Sequence, residues 1–390
     1  MEYPKESDWS LGANNMADPD RLPENFVRDA INMDARDDGK LTLRNGARKI
    51  YEGVDIRFAA SINGALLFIE NDEVFVLEKG IPRLIGQVNA SGRITGVEHQ
   101  GILYISTVAE TLCFDGRELY PWGMYPPAFS IVDEPGSLPA GIYKVAVTRM
   151  SDRGEESGGE VKIIKLPEGR QIRVYTEQSG DRVYVSAVDS QTLYYQGDSA
   201  ASYAVTRVFD DGERLTTAND SAPPMAAILA SVGAVILMAR GRYLWMTKPY
   251  SPHLCDAQDV IQFPQEITNV VSAGLGVYIT ADKTYFISGI GTTEHRQRVV
   301  VNRGAVAFTG ITLPDDRATW FTEEGQVFGT PDGAVTFPNE DNYLPNRAQA
   351  GASGFIEVDG VRTVVTSLNR GVTKNAAAIG DHCDVEVVPR

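Results

Sequence analysis

Histidine and cysteine are scarce in this sequence, which limits the nucleophilic and metal chemistry that it can support. The four histidines are His99, His253, His295 and His382. None adjoins a nucleophile motif such as Gly-x-Ser-x-Gly. Two clusters carry zinc-type donors, at residues 253–256 (His-Leu-Cys-Asp) and 381–384 (Asp-His-Cys-Asp). Neighbouring strand residues point to opposite faces, so His382 and Cys383 are poorly placed to bind one ion, and we predict no metal site.

Acidic residues gather in four loops, where they could act as general acids or as calcium ligands. The loops span residues 34–39, 210–213, 315–316 and 339–342. A glycosidase would need two acids about 5 to 10 Å apart in a cleft, and none of these loops has EF-hand spacing. Loop acids are also the expected background in a chain with 52 acidic and 36 basic residues. The sequence therefore predicts no catalytic residue.

A glycine-rich segment and a set of aromatic residues could indicate nucleotide or sugar binding. Residues 289–293 (Gly-Ile-Gly-Thr-Thr) lack the lysine of a P-loop and the third glycine of a dinucleotide fingerprint, so we predict a turn and no cofactor. Trp122 and Tyr250 adjoin prolines and loop residues, and they are predicted to be exposed. The other aromatic residues considered are predicted to pack in the core: Tyr104, Tyr125, Trp245, Tyr278, Tyr285, Phe286, Trp320 and Phe321.

Composition and charge narrow the class of protein. The chain has 390 residues, of which 43% are hydrophobic and 23% charged, so it can bury a core. Its net charge of −16 argues against a surface that clamps phosphates and suits a conduit past which nucleic acid slides. Three widely spaced cysteines predict no disulfide framework and folding in a reducing cytoplasm. We also predict no signal peptide, because residues 1–7 lack a basic patch followed by an apolar run. The longest apolar stretch, residues 226–239, is short and interrupted, so we predict no membrane span.

Short runs rich in Val, Ile, Tyr and Phe, bounded by Gly, Asp, Asn and Pro, predict a mostly β chain. Paired runs recur, with starts at positions 64, 101, 233, 276, 317 and 360. Four of the five intervals are 37 to 43 residues, and this period favours a β-propeller-like body of about six blades. A two-sheet sandwich is the alternative, because it also gives short strands and regular turns.

The remaining interval, 132 residues, leaves room for an inserted domain. Alternating strands about ten residues apart within it predict a fibronectin- or immunoglobulin-like β-sandwich. We therefore expect a docking arm at residues 1–27, a first propeller part at 28–125, the sandwich at 126–224 and a second propeller part at 225–390. An Asp-Gly turn near residue 38 predicts a hairpin that pairs with the last blade and closes the ring.

The order of these segments resembles that of bacteriophage tail structural proteins. The resemblance rests on residues 12–19 (Gly-Ala-Asn-Asn-Met-Ala-Asp-Pro), 28–34, 39–46, 244–253 and 276–289, and it covers most of the chain. Within this group the chain resembles the tail nozzle proteins of short-tailed phages, although it is shorter than many of them. These motifs are turns and core strands, so the resemblance transfers no catalytic residue.

The resemblance implies a non-enzymatic virion protein of the tail, made in the bacterial host cytoplasm. It implies a homo-oligomeric six-fold ring that continues the DNA-ejection channel, contacts adaptor or connector proteins, and carries tail fibres or spikes. Genomic DNA would pass without sequence-specific binding. A hub or fibre-attachment role is possible within the same group. The alternatives from other classes are a tail propeller that degrades host glycans and one that binds receptor glycans without cleaving them.

Overall fold

The computed structural model describes residues 8–28, 30, 33–35, 39–43, 49–292, 294–345, 347–358, 361–369 and 383–387. This part of the chain is all-β, and its helical structure is confined to one short 3-10 turn at Pro19–Arg21. No helix among the described residues is long and apolar enough to cross a membrane. The all-β, propeller-like fold class is therefore confirmed.

Two four-stranded antiparallel sheets follow the N-terminal region, and in each of them every strand pairs with the strand before it. We call them blades 1 and 2. Blade 1 contains β3 (Ile56–Ile62), β4 (Ala65–Glu70), β5 (Glu73–Glu78) and β6 (Ile81–Gln87). Blade 2 contains β7 (Thr95–His99), β8 (Ile102–Ser106), β9 (Thr111–Phe114) and β10 (Leu119–Pro121). Before them, β1 (Met33–Ala35) pairs with β2 (Leu41–Leu43).

Blades 3 to 6 follow the insert and continue the same pattern of antiparallel neighbours. Blade 3 contains β18 (Asp220–Ser221), β19 (Ile228–Val232), β20 (Val235–Arg240), β21 (Tyr243–Lys248) and β22 (Ser251–Gln262). Blade 4 contains β23 (Asn269–Ala273), β24 (Gly276–Thr280), β25 (Thr284–Ser288) and β26 (Arg296–Val301). Blade 5 contains β27 (Ile311–Thr312), β28 (Ala318–Thr322), β29 (Gly325–Gly329) and β30 (Val335–Thr336). Blade 6 contains β31 (Ala350–Val358), β32 (Val361–Asn369) and β33 (Cys383–Val387).

The repeated sequence unit corresponds to the two central strands of a blade. The predicted pairs are β4–β5, β8–β9, β20–β21, β24–β25 and β28–β29, whereas the second half of the sixth unit lies outside the described residues. Central strands are buried on both faces, as in β24 and β28, while the last strands β6 and β26 are largely exposed. The body is thus a series of separate sheets, and the alternative of a single two-sheet sandwich does not describe it.

Left-handed residues at the hairpin turns set the register of the repeat. Asn63 and Gln100 have φ angles of 50° and 52°, and each precedes a glycine, Gly64 or Gly101, that also has a positive φ. Two successive positive φ angles match the type I′ turn, whose twist suits adjacent antiparallel strands. This explains why a glycine marks the start of these units.

The chain divides into two compact units, the first comprising Met1–Val54, Arg240–Tyr243 and Gln262–Arg390, and the second Asp55–Ala239 and Leu244–Ile261. In the second unit, blades 1 and 2 share an apolar cluster that includes Leu67, Val76 and Leu103. Blades 2 and 3 share another that includes Tyr104 and Met238. Face-to-face burial of apolar surface therefore stabilises this series of sheets.

In the first unit, aromatic packing joins blades 4 and 5. The rings of Tyr278 and Trp320 lie 4.9 Å apart between centroids, and Tyr278 lies 4.8 Å from Phe286. Blades 5 and 6 meet through Leu313, Phe328 and other apolar residues. Rings of this size bury large areas, so they supply much of the stabilising energy between these blades.

The inserted domain is a seven-stranded β-sandwich. One sheet has the order β11-β14-β17 and the other β13-β12-β15-β16. Ten buried residues from the two sheets, together with Leu138 from the β11–β12 connection, form a common core that includes Tyr143, Val174 and Val185. The predicted fibronectin/immunoglobulin-like sandwich is confirmed as part of the fold class. The strands are β11 (Phe129–Pro135), β12 (Gly141–Thr148), β13 (Val161–Leu166), β14 (Arg170–Thr176), β15 (Arg182–Ser186), β16 (Leu193–Asp198) and β17 (Ser202–Val205).

The described part of the N-terminal arm is attached to its own chain. Asn15 Nδ2 donates to Leu344 O at 2.9 Å, and Leu344 N donates to Asn15 Oδ1 at 2.8 Å. Asn15 N also donates to Asn342 O, and Ala13 forms a parallel bridge with Val27. The arm therefore has intramolecular partners, and docking onto a neighbouring subunit stays a prediction. The same is true of ring closure by the β1–β2 hairpin.

Candidate functional site

The sandwich contacts blades 2 and 3 through the loop between β12 and β13, residues 149–160, which we call the docking loop. Arg153 in this loop reaches the turn between β9 and β10, where its guanidinium nitrogens lie 3.0 Å from Asp115 Oδ2 and 3.0 Å from Glu118 Oε2. The guanidinium also lies 3.6 Å from the ring centroid of Tyr120. One side chain thus combines two ion pairs with a cation–π contact.

Backbone pairing holds the other end of the docking loop. Gly159 forms a parallel bridge with Ala218, with Gly159 N donating to Thr217 O at 3.0 Å and Asn219 N donating to Gly159 O at 2.7 Å. Thr217 Oγ1 donates to Ser157 O at 2.9 Å. The docking loop is therefore paired with the segment by which the chain leaves the sandwich.

That segment continues into β18, which joins the outer strand of blade 3. Asp220 pairs with Asp256 of β22, and its carboxylate lies 3.0 Å from Lys248 Nζ. Asp220 is 3% exposed, and burial raises its pKa although Lys248 acts in the opposite direction. Lys248 is 42% exposed, so the pair is buried only on its acidic side. Loss of Lys248 would leave the buried Asp220 carboxylate without compensation, which favours the arrangement in which the two groups meet.

Loss of the Arg153 contacts should loosen the sandwich without unfolding it. We expect Arg153→Ala to weaken docking by about 1–2 kcal/mol, since the ion pairs are partly exposed and the cation–π contact adds a similar amount. Amide hydrogen exchange should become faster in the docking loop and at residues 115–120. Arg170→Ala is the control, because Arg170 pairs with Asp133 within the sandwich at 2.7 Å. Equal exchange in both variants would contradict the docking role of Arg153.

A cleft of about 490 Å³ opens beside this junction, between the sandwich and the end of blade 2. Glu110, Trp122 and Tyr125 line it from the body side. Arg149 and Glu177 line it from the sandwich side. The lining residues are far apart in sequence, so their proximity depends on how the sandwich is mounted.

The two zinc-type clusters do not form a metal site in the described part of the chain. Cys255 is buried, and His253 Nδ1 lies 3.8 Å from Glu155 Oε1. Burial raises the pKa of the Cys255 thiol to about 12, which disfavours the thiolate that a metal requires. His382 lies outside the described residues, as does the rest of its cluster apart from the strand at Cys383–Val387. No group of three or more potential metal ligands occurs among the described residues.

One residue in each of three acidic loops takes part in a structural contact, and the glycine-rich segment forms a turn. Glu213 lies 2.6 Å from Arg182 Nη2, and Asp315 lies 2.8 Å from Arg317 Nε. Asn342 holds the N-terminal arm, and the turn residues of the loop that begins at Asp34 lie outside the described residues. At Gly289, Thr292 N donates to the carbonyl oxygen at 3.1 Å, which closes the predicted turn.

Two aromatic predictions were wrong. Trp122 was expected to be exposed, but it is 1% exposed because blade 3 covers it and its Nε1 donates to Pro252 O at 2.7 Å. Tyr125 was expected in the core, but it is 66% exposed at the rim of the cleft. Tyr250 is 80% exposed, as predicted, at the β21–β22 turn.

His99 is the buried histidine between blades 2 and 3, where it is 3% exposed. Its Nδ1 lies 2.8 Å from Ser231 Oγ, and its Nε2 has no hydrogen-bond partner within the described structure. Burial lowers the pKa of His99 below its ordinary value. The folded protein therefore holds this ring neutral under conditions in which an unfolded chain would begin to protonate it.

The buried histidine should make the protein acid-sensitive. An unfolded histidine binds a proton below about pH 6.5, whereas folded His99 resists it, so stability is fully present above that pH and falls as the pH drops towards the folded pKa. We expect His99→Gln to flatten the fall in melting temperature between about pH 7.5 and 5. His295 is exposed, so His295→Gln is the control and should show the same fall in melting temperature as the wild type. Parallel curves for the wild type and His99→Gln would rule out this assignment.

No family model and no curated protein matches this chain. Among solved structures, it is similar to BBS1N in a complex with ARL6DN, with 12% identity, a TM-score of 0.36, and coverage of 88% of this chain and 96% of the other. Virginiamycin B lyase from Staphylococcus aureus gives 10% identity, a TM-score of 0.32, and coverage of 80% and 91%. PorZ from Porphyromonas gingivalis shows 10% identity and a TM-score of 0.26, and the match covers 90% of this chain and 55% of PorZ. Similarities this low transfer no activity or partner to this chain.

Proposed function

We propose that this chain is a non-enzymatic structural subunit of a phage tail, of the nozzle or hub type. The fixed mounting of the sandwich on blades 2 and 3 carries the proposal. The docking loop is held by Arg153 at one end and by backbone pairing of Gly159 with Ala218 at the other. A module that resists displacement suits a subunit that transmits load to attached fibres or spikes.

The charge of the chain supports the same role. At a net charge of −16, a ring of identical subunits would repel phosphates and let DNA slide through without sticking. We therefore propose a six-fold homo-oligomeric ring in the virion tail. Adaptor or connector proteins would lie on one side, and the sandwich would present a separate surface for fibres or spikes.

Quantitative mass spectrometry of gradient-purified particles from the source lysate tests this function. A tail ring predicts a copy number near six per particle, measured against the major capsid protein. Dozens of copies would contradict a ring and indicate a fibre or decoration protein. Absence from the particles would overturn the virion role.

A further inference from the structure

The cleft between the sandwich and blade 2 has the size and position of a ligand site. Its volume of about 490 Å³ falls within the range of small-molecule sites, which occur preferentially at domain junctions. All the residues that line it belong to the same compact unit. The cleft is therefore a property of one subunit.

The walls of the cleft are fixed by contacts that need no ligand. Arg149 Nε and Nη2 donate to Asp181 Oδ1 and Oδ2 at 2.7 and 3.0 Å, and Asp181 is 1% exposed. Glu110 Oε1 accepts from Asn89 N at 2.6 Å. A ligand would therefore meet Arg149 and Glu110 in orientations that are already fixed, which lowers the entropic cost of binding at these two residues.

The rim of the cleft carries an exposed aromatic ring. Tyr125 is 66% exposed and is followed by Pro126 and Pro127, whose rings restrict the backbone next to it. Tyrosine offers an apolar face with a polar tip and loses little conformational entropy on binding. A flat ligand face with C–H groups would stack on this ring.

The charged side chains that line the cleft indicate which ligands it can bind. Asp181 already compensates Arg149, whereas Glu177 is 58% exposed and lies 3.9 Å from Arg149 Nη2. Together with Glu110, it offers carboxylate oxygens that accept hydrogen bonds and repel anions. A ligand that donates through hydroxyl groups, stacks through C–H groups and carries no negative charge satisfies each of these groups.

We propose that this cleft binds a neutral saccharide, with Tyr125 as the stacking platform and Glu110 and Glu177 as acceptors for its hydroxyl groups. We assign these three residues a role in binding the saccharide and no catalytic step. The proposal does not depend on the role of the chain in the tail. A tail subunit with such a site would contact surface polysaccharide during attachment.

The test is binding of the full chain to an array of neutral bacterial oligosaccharides, followed by isothermal titration of each one that binds. We expect at least one to bind, and Tyr125→Ala to weaken it by about tenfold or more, because the stacking surface is lost. Tyr125→Phe should retain most of the affinity. Glu177→Gln should weaken binding, because a carboxylate accepts a stronger hydrogen bond than an amide.

Tyr250→Ala is the matched control, because Tyr250 is also an exposed tyrosine but does not line the cleft. It should leave the affinity unchanged. The proposal is overturned if no neutral oligosaccharide binds, if anionic oligosaccharides bind in preference, or if Tyr125→Ala and Tyr250→Ala behave alike. None of these outcomes bears on the copy number of the chain in particles, so the two proposals fail separately.

Discussion

Gly158→Ala should separate the sandwich from the body of the protein. A β-carbon at Gly158 would lie 1.7 Å from the carbonyl oxygen of Asp220 and 2.2 Å from its carbonyl carbon, so the backbone itself must move. The paired segments on either side, at Gly159 and Thr217, leave little room for that movement. We expect a loss of about 3 kcal/mol, at the upper end of the range for overpacking.

The effect should be confined to docking, because the sandwich has its own buried core. We therefore expect calorimetry to resolve a separate sandwich transition in Gly158→Ala, and limited proteolysis to cut near residues 126–128 and 206–219. Gly212→Ala is the matched control, because the nearest atom to its new β-carbon, Tyr195 O, lies at an ordinary 3.8 Å. That variant should stay within about 0.5 kcal/mol of the wild type. If Gly158→Ala leaves stability and proteolysis unchanged, the pairing of the docking loop with residues 217–220 does not hold the sandwich in place.

The sequence was informative wherever short-range periodicity determines structure. The paired runs predicted the central strands of five blades, because those strands are buried on both faces and leave a continuous apolar signal. The outer strands were harder to recognise. β26 contains Arg296 and Arg298 and is mostly exposed, so its composition resembles that of a loop.

The junction and its cleft could not be predicted from the sequence. Arg153 meets Asp115 and Tyr120 across more than thirty residues, and nothing in the local pattern distinguishes it from other loop arginines. Gly158 has no positive φ, so its requirement for glycine comes from the approach of Asp220 alone. Such contacts depend on where the inserted domain folds back, which is a long-range property of the chain.

The burial of Trp122 and the exposure of Tyr125 were also predicted wrongly because they depend on long-range contacts. Trp122 stands between a proline and a glycine, which is a typical setting for an exposed loop residue. The strand that covers it, β22, begins about 130 positions later in the chain. Tyr125 lies next to Pro126 in an equally apolar context but faces the cleft. Local composition therefore assigned the wrong aromatic residue to the core.

Trp122→Ala should be among the most destabilising substitutions in the protein. The indole is 1% exposed, lies 4.9 Å from the ring of Tyr104, and belongs to the apolar cluster shared by blades 2 and 3. Its removal leaves a large cavity and deprives Pro252 O of a donor. We expect a loss of about 3–5 kcal/mol, measured by thermal unfolding followed by circular dichroism.

Tyr125→Ala is the control for this measurement, because it removes an aromatic ring three positions away whose side chain is mostly exposed. It should cost less than about 0.5 kcal/mol. Trp122→Phe should recover part of the loss, because a smaller ring fills some of the cavity but cannot donate to Pro252 O. A cost below about 1 kcal/mol for Trp122→Ala would mean that blades 2 and 3 do not depend on their shared core. The sandwich would then rest on a surface too weak to transmit load, and the structural function proposed for the chain would lose its physical basis.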